Sequence, residues 1–316
     1  MKLLRATAIA GGALLLCGAG SSAAAVTLFN RVIPRQDKLR VNLDEMADMQ
    51  QWEEYKKIIH PNKEWIMAQD LEHITIKSHD NLTLHADYLK APVESGKIAI
   101  FFHGYTSCGL NDCTSMAVFL HKQGFDCLIV DNRAHGKSEG KYIGFGILDR
   151  YDCVSWIKYA QERFKKDILL YGVSMGAATV LMASGFSDFP DSVKVIVADC
   201  AFTSPFDVFS HVLKKDYHLP PFPTMHINNI ICKKTAGYGF SDYSTLDAVK
   251  VTKCPILFIH GKNDNFVPTW MSEKNFEECK SEKELLIVEN AGHAASYYEN
   301  PELYESRVLD FTNRFM

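Results

Sequence analysis

From residue 97 onward the chain alternates short, almost wholly apolar runs with longer stretches whose apolar residues recur every three or four positions. The apolar runs cover 98–102, 127–130, 168–171, 193–197, 256–259 and 285–288. Strands look like this when helices cover both faces of a parallel sheet, since neither face then needs polar side chains. The stretches between them, 116–123, 148–164, 175–184, 270–279 and 301–315, have helical length and period. Strand followed by helix, repeated, predicts an α/β fold: a doubly wound, mostly parallel sheet with right-handed crossovers, whose ligands sit beyond the carboxyl ends of the strands. Residues 71–77 and 82–89 alternate apolar with polar around His79, Asp80 and Asn81, the pattern of a β-hairpin with a corner that tolerates left-handed backbone.

The alternation is broken once, between about 202 and 253. This stretch carries several aromatic residues, the run Leu219-Pro220-Pro221-Phe222-Pro223 and no strand pattern, and it reads as a cap inserted over the sheet edge. Before the hairpin, Met46, Met49, Trp52, Tyr55 and Ile59 recur at helical spacing among charged residues, which predicts an amphipathic helix ended by Pro61. The organisation expected is therefore an N-terminal segment over 1–30, an amphipathic linker over 31–69 and the main domain over 70–316.

Residues 6–30 contain no charged side chain and follow Lys2 and Arg5. Such a run is long enough to span a bilayer, and its small residues Ala23, Ala24 and Ala25 also fit a cleavable export signal. Either way it predicts membrane targeting, as an anchor or a secretion signal. Lys2 and Arg5 favour export of the body, against the pull of Arg31, Arg35, Lys38 and Arg40. Cys17 follows a bulky leucine, a poor lipid-attachment site, and reads as an apolar filler.

Composition narrows the function classes. Apolar residues make up 47% and charged residues 23%, enough to build a large core, and the net charge of -4 offers no basic field for nucleic acid. There are nine cysteines, an odd number, with no CxxC pair. Cys108 and Cys113 share one loop and are expected as two free thiols rather than a bridge. No His, Cys, Asp or Glu cluster has metal-ligand spacing along the chain, and no cofactor is expected.

The chemistry is concentrated at strand ends. Gly172-Val173-Ser174-Met175-Gly176 joins the run 168–171 to an apolar helix. Gly-x-Ser-x-Gly in that setting is a nucleophile elbow, in which a sharp turn lifts the serine hydroxyl off the sheet and side chains at the glycines would collide with backbone. A serine hydroxyl needs an adjacent base. Among twelve histidines, His293 in Asn290-Ala291-Gly292-His293 directly follows the last apolar run, which puts it at the same sheet edge as Ser174. An acid is then needed to orient the imidazole, and Asp264, after the run 256–259, gives the chain order Ser, Asp, His. Two backbone N–H groups are expected to form an oxyanion hole: Met175 at the helix start, and Tyr105 in the loop His103-Gly104-Tyr105-Thr106-Ser107. His103 is read as a loop-shaping residue, and Asp131 to Ser138 as structural, with Arg133 paired locally.

Across residues 70–316, His103-Gly104, the Asp131 to Gly140 stretch, Gly172 to Gly176, His260 to Pro268 and Gly292-His293 occur in the order of the α/β-hydrolase superfamily, which the chain resembles. It looks most like bacterial membrane-anchored hydrolases related to lysophospholipases, monoacylglycerol lipases and serine aminopeptidases. The resemblance implies an eight-stranded sheet with a small cap between strands 6 and 7, the Ser174, His293, Asp264 triad and no cofactor. Asn81 stands where relatives usually have glycine, a difference confined to a turn. The expected activity is ester hydrolysis through an acyl-enzyme, with Phe202, Phe206, Phe209, Phe222 and Met225 either lining an acyl pocket or forming the cap's own core. A peptidase would need an acid in the cap, where Asp207, Asp216 and Asp242 are available. A non-catalytic binding protein of the same fold is the rival from another class.

Overall fold

A computed structural model of the chain describes residues 20–36 and 49–316. Eight strands form one sheet: β1 (Glu72–Lys77), β2 (Thr83–Leu89), β3 (Lys97–Phe102), β4 (Asp126–Asp131), β5 (Asp167–Val173), β6 (Val193–Asp199), β7 (Ile256–Gly261) and β8 (Lys283–Val288). Their spatial order is β1-β2-β4-β3-β5-β6-β7-β8, antiparallel where β2 meets β1 and β4 and parallel elsewhere. The chain leaves β3 for β4 on one side and returns to β5 on the other. Loops after β3 and β5 therefore diverge across the sheet and open a crevice at their carboxyl ends.

Strand residues bury both faces, as the uninterrupted apolar runs predict: Ile98, Ala99, Ile100 and Phe101 are fully buried, as are Ile168 to Leu170 and Ile256 to Ile259. One face packs on α5 (Asp149–Phe164) and α6 (Met175–Ala183) through Trp156, Ile157, Val180 and Leu181. The other packs on α4 (Thr114–Lys122) and the C-terminal α12 (Pro301–Thr312) through Met116, Leu120, Tyr304 and Phe311. The hairpin corner turns at Asn81, whose φ is 70°, a conformation that asparagine accepts better than most residues.

The cap, between β6 and β7, folds as α7 (Pro205–Asp216), α8 (Thr224–Thr235) and α9 (Thr245–Val249). Ser204 caps α7 by accepting from the Asp207 N–H at 3.0 Å, with Pro205 at the first helical position. Phe202, Phe209 and Met225 are buried in a third apolar cluster and Phe206 packs against it, whereas Phe222 is exposed.

Two expectations for the N-terminal part are corrected. First, α2 (Met49–Met67) runs through Pro61 rather than ending there. An internal proline costs about 3 kcal/mol. Ile66 is fully buried, and Ile58 and Trp65 pack beside it on the α4 face. At about 1.5–3 kcal/mol for one buried aliphatic side chain, this packing offsets the proline. Second, the membrane-spanning signal-anchor helix expected within 1–30 is not found among the described residues. Residues 1–19, with Lys2, Arg5 and Cys17, lie outside the described residues, as do 37–48 with Met46. Residues 20–32 form a helix, α1, and among the described residues no helix is long and apolar enough to cross a membrane. Instead Ala25, Phe29 and Ile33, four residues apart on one face, are buried, with Phe29 and Ile33 packed in the cap cluster. The apolar stripe of residues 25–33 thus meets protein.

Arg133 is buried and grips two elements. It donates to Asp152 of α5 at 2.6 and 2.7 Å and to Asp80 of the hairpin corner at 3.0 and 3.1 Å. For Asp80, burial pushes the carboxyl up, but the Arg133 and Ser78 hydrogen bonds outweigh it and hold its pKa at about 2. At the fully buried Asp149 nearby, burial outweighs Arg133 and pushes the pKa up to about 6. Truncating Arg133→Ala leaves Asp152 buried without its partner and is expected to destabilise the protein by about 3–5 kcal/mol. Urea denaturation at neutral pH measures it; a loss below 1 kcal/mol would contradict the clamp.

Candidate active site

Ser174 lies between β5 and α6 with φ 53° and ψ −112°, a conformation that costs a non-glycine residue about 1–3 kcal/mol. Close packing imposes it. A Cβ on Gly176 would stand 2.0 Å from the Phe102 carbonyl oxygen, and one on Gly172 would stand 2.4 Å from that of Gly176. Only two glycines let the strand turn into the helix against β3. The Ser174 N–H donates to the Asp199 carbonyl at 2.8 Å, which ties the turn to the end of β6.

The turn carries the hydroxyl to the loop after β8. His293 Nε2 lies 2.9 Å from Ser174 Oγ, and its Nδ1 lies 2.6 Å from Asp264 Oδ2, in the loop after β7. Asp264 is fixed in turn: its Oδ1 accepts the Phe266 and Val267 N–H groups, each at 2.9 Å. The structure thus brings together Ser174, Asp264 and His293 from positions 119 and 29 residues apart. Tyr105 and Met175 border the same cavity as Ser174. Met175 opens α6, so its N–H has no acceptor within the helix. The loop of Tyr105 passes against the serine, since a Cβ on Gly104 would lie 3.5 Å from Ser174 Cβ.

Electrostatics follow from burial and pairing. Burial draws the His293 pKa down, but the charge and hydrogen bond of Asp264, with the fields of Asp199 and Asp112, raise it above the ordinary histidine value. Burial pushes the Asp264 carboxyl up, yet the two histidines beside it hold it well below the usual carboxylate range. The acid stays ionised and the imidazole stays oriented.

Three supporting residues are assigned no role from the sequence, although His260 opens one of the matching stretches. Asp112, at the end of the short helix α3 (Gly109–Asp112), accepts the Gly104 N–H at 2.8 Å and shapes the loop of Tyr105. His260 is fully buried, with Nε2 3.1 Å from Asp264 Oδ2 and 2.8 Å from the Val267 carbonyl, so that nitrogen carries the proton. Asp199 accepts from the Tyr304 hydroxyl at 2.9 Å, and burial pushes its pKa up to about 6. A helix-spaced Asp and a strand-end His or Asp look like any others until the fold assembles them. His103 shapes its loop as expected: Nε2 accepts the Asn132 N–H at 3.0 Å.

Two cavities flank the site. One, of about 140 Å³, is bordered by Ser174, Met175, Tyr105, Phe145, Phe202 and Phe209, and also by Leu28, Arg31 and Val32 of α1. The other, of about 440 Å³, is bordered by His293 and Tyr298, by Asn111 and Asp112, and by Tyr55 and Ile59 of α2. Folding also brings His73, His85 and Asp87 of the β1–β2 hairpin within metal-ligand distance of one another. There the Lys137 ammonium, 3.8 Å from Asp87, already supplies positive charge. Cys108 and Cys113 are separate thiols.

Comparison with known proteins agrees with this architecture. The model of the prolyl oligopeptidase family matches residues 113–316. YqkD of Bacillus subtilis is 32% identical over 226 residues, which cover 71% of this chain and 73% of YqkD. YfhR of Escherichia coli (strain K12) is 22% identical over 217 residues, 68% and 70% of the two chains. Among solved structures, the Pyrococcus furiosus esterase Pf2001 superposes with a TM-score of 0.65 at 25% identity, covering 80% of this chain and 94% of that one. Est1E from Butyrivibrio proteoclasticus, solved with ferulic acid bound, shares the fold at a TM-score of 0.58 and 19% identity, covering 77% and 98%. With more than half its length matched by one family model and a relative above 30% identity, the chain belongs to the prolyl oligopeptidase family and is a hydrolytic enzyme of the α/β-hydrolase superfamily.

Proposed function

We propose that this protein is a serine esterase in which Ser174 attacks the ester carbonyl, His293 moves the proton and Asp264 holds the imidazole. The observation that carries the reading is the unbroken relay from Ser174 Oγ through His293 to Asp264, set at the edge of an apolar cavity. Attack forms the bond from Ser174 Oγ to the carbonyl carbon while the Ser174 proton passes to His293 Nε2. Collapse breaks the bond to the leaving oxygen, which takes that proton. Water then repeats the sequence and frees the acid. The N–H groups of Met175 and Tyr105 are assigned to the oxyanion, where one donor is worth about 3 kcal/mol.

Peptide hydrolysis is the second reading, supported by the description of the matching family. The cap gives it little help. Asp207 accepts from the Thr203 hydroxyl and Asp242 pairs with Lys233, and neither these nor Asp216 borders the cavity at Ser174. Leaving alkoxides also demand less of the site than amines.

A fluorophosphonate probe is expected to label the wild type and not Ser174→Ala, whose kcat on p-nitrophenyl esters should fall about 10⁶-fold. An unlabelled, folded wild type would favour a binding protein, and faster turnover of aminoacyl anilides than of esters would favour the peptidase.

The pH profile tests the base. Neutral His293 accepts the proton, so kcat/KM should rise with pH through an apparent pKa above the ordinary histidine value of 6.5. Asp264→Asn removes the charge that raises it; the acid limb should move to lower pH, and kcat should drop about 10⁴-fold. An unmoved limb would separate Asp264 from the base.

A further inference from the structure

We propose that the two helices preceding the sheet divide the substrate between the two cavities: α1 closes the cavity for the acyl chain, and α2 closes the cavity for the leaving group, a bulky hydroxylated alcohol. This rests on the triad assigned above. The leaving oxygen must take its proton from His293 Nε2, so the group it carries lies on the imidazole side. The acyl substituent extends instead from a carbonyl held at Ser174 and the Met175 and Tyr105 N–H groups. The smaller cavity touches those three residues; the larger touches His293 and not Ser174.

The linings differ in the same sense. Leu28 and Val32 of α1 border the smaller cavity together with Val208 and Phe209 of the cap, a mainly apolar lining that suits an aliphatic chain. The larger cavity sets the rings of Tyr55 and Tyr298 beside Ser107, Asn111 and Lys63, a mixture of apolar faces and hydrogen-bonding groups that suits an alcohol with further hydroxyls.

Both walls are fastened to the domain, so their position defines a fixed size. The Ile143 N–H donates to the Ile33 carbonyl at 2.8 Å, and the Tyr105 hydroxyl donates to the Val32 carbonyl at 3.2 Å. The Arg35 guanidinium grips the carbonyls of Gly136 and Ser138 just beyond α1. On the other side the Tyr55 hydroxyl and Gln51 amide donate to Glu299 at 2.7 and 2.9 Å, and Lys63 donates to Asn111 at 2.7 Å.

The test is a crossed panel on the full chain: p-nitrophenyl esters from acetate to decanoate for the acyl side, and methyl, butyl and glyceryl butyrates followed by acid release for the leaving group. Wild type should prefer glyceryl to butyl butyrate; the reverse order overturns the hydroxylated class. Val32→Trp should cut kcat/KM for long acyl chains relative to acetate about tenfold, and Leu28→Ala should shift the optimum to longer chains, with the butyrate ratios unchanged. Ile59→Trp should lower glyceryl relative to methyl butyrate about tenfold with the acyl profile unchanged. Val26→Ser, on the exposed outer side of α1, should alter neither. Fluorophosphonate labelling of each variant reports an intact site. If the labelled variants move the wrong axis, or neither axis, the division fails; if wild type is not labelled, the triad reading fails instead.

Discussion

The site depends on one steric constraint, the passage of β5 into α6 at Ser174 against the backbone of β3. With a Cβ on Gly176 excluded by the Phe102 carbonyl and one on Gly172 by Gly176 itself, the chain can turn sharply enough to hold the serine at positive φ. That strain is sustained by the fully buried α6, all nine residues of which lie inside the protein, and by the hydrogen bond from the Ser174 N–H to Asp199. Burying several aliphatic side chains at about 1.5–3 kcal/mol each readily exceeds the cost of one strained residue. The hydroxyl is thereby placed where loops after β3, β7 and β8 converge.

The rest of the site completes what the turn begins. Asp264 is ionised in a buried place only because two backbone N–H groups and two histidines surround its oxygens. An unpaired buried carboxylate would neutralise instead, as burial tends to make Asp149 and Asp199 do. The same carboxylate fixes His293 in the tautomer whose Nε2 faces the serine. Electrostatics and geometry are therefore one arrangement here: removing the acid would lose both the orientation of the imidazole and its raised basicity.

α1 borders the cavity at Ser174 and α2 the cavity at His293, although both precede the first strand. The walls of the two cavities are thus built from the N-terminal segments as well as from the cap. Of the cap residues expected to line an acyl pocket or to form the cap's core, Phe202 and Phe209 are buried and also border the cavity, Met225 is buried in the third apolar cluster, Phe206 packs against it and Phe222 faces solvent.

The order of strands and helices was legible along the chain, because two-sided burial leaves uninterrupted apolar runs; so were Ser174, Asp264 and His293 as candidates that folding brings together, because each follows such a run. Those are local signals, readable wherever period and strand end coincide. That Ala25, Phe29 and Ile33 pack on protein emerged only on folding, since a short apolar stripe satisfies a lipid and a protein partner equally well. Only the tertiary structure carried α2 through Pro61, because the compensating burial of Ile66 is against helices far along the chain. Likewise Asp112, His260 and Asp199 acquire their roles through partners that only folding supplies, as do the two cavities. What depends on a residue and its neighbours in sequence was legible; what depends on which distant surface a side chain meets was not.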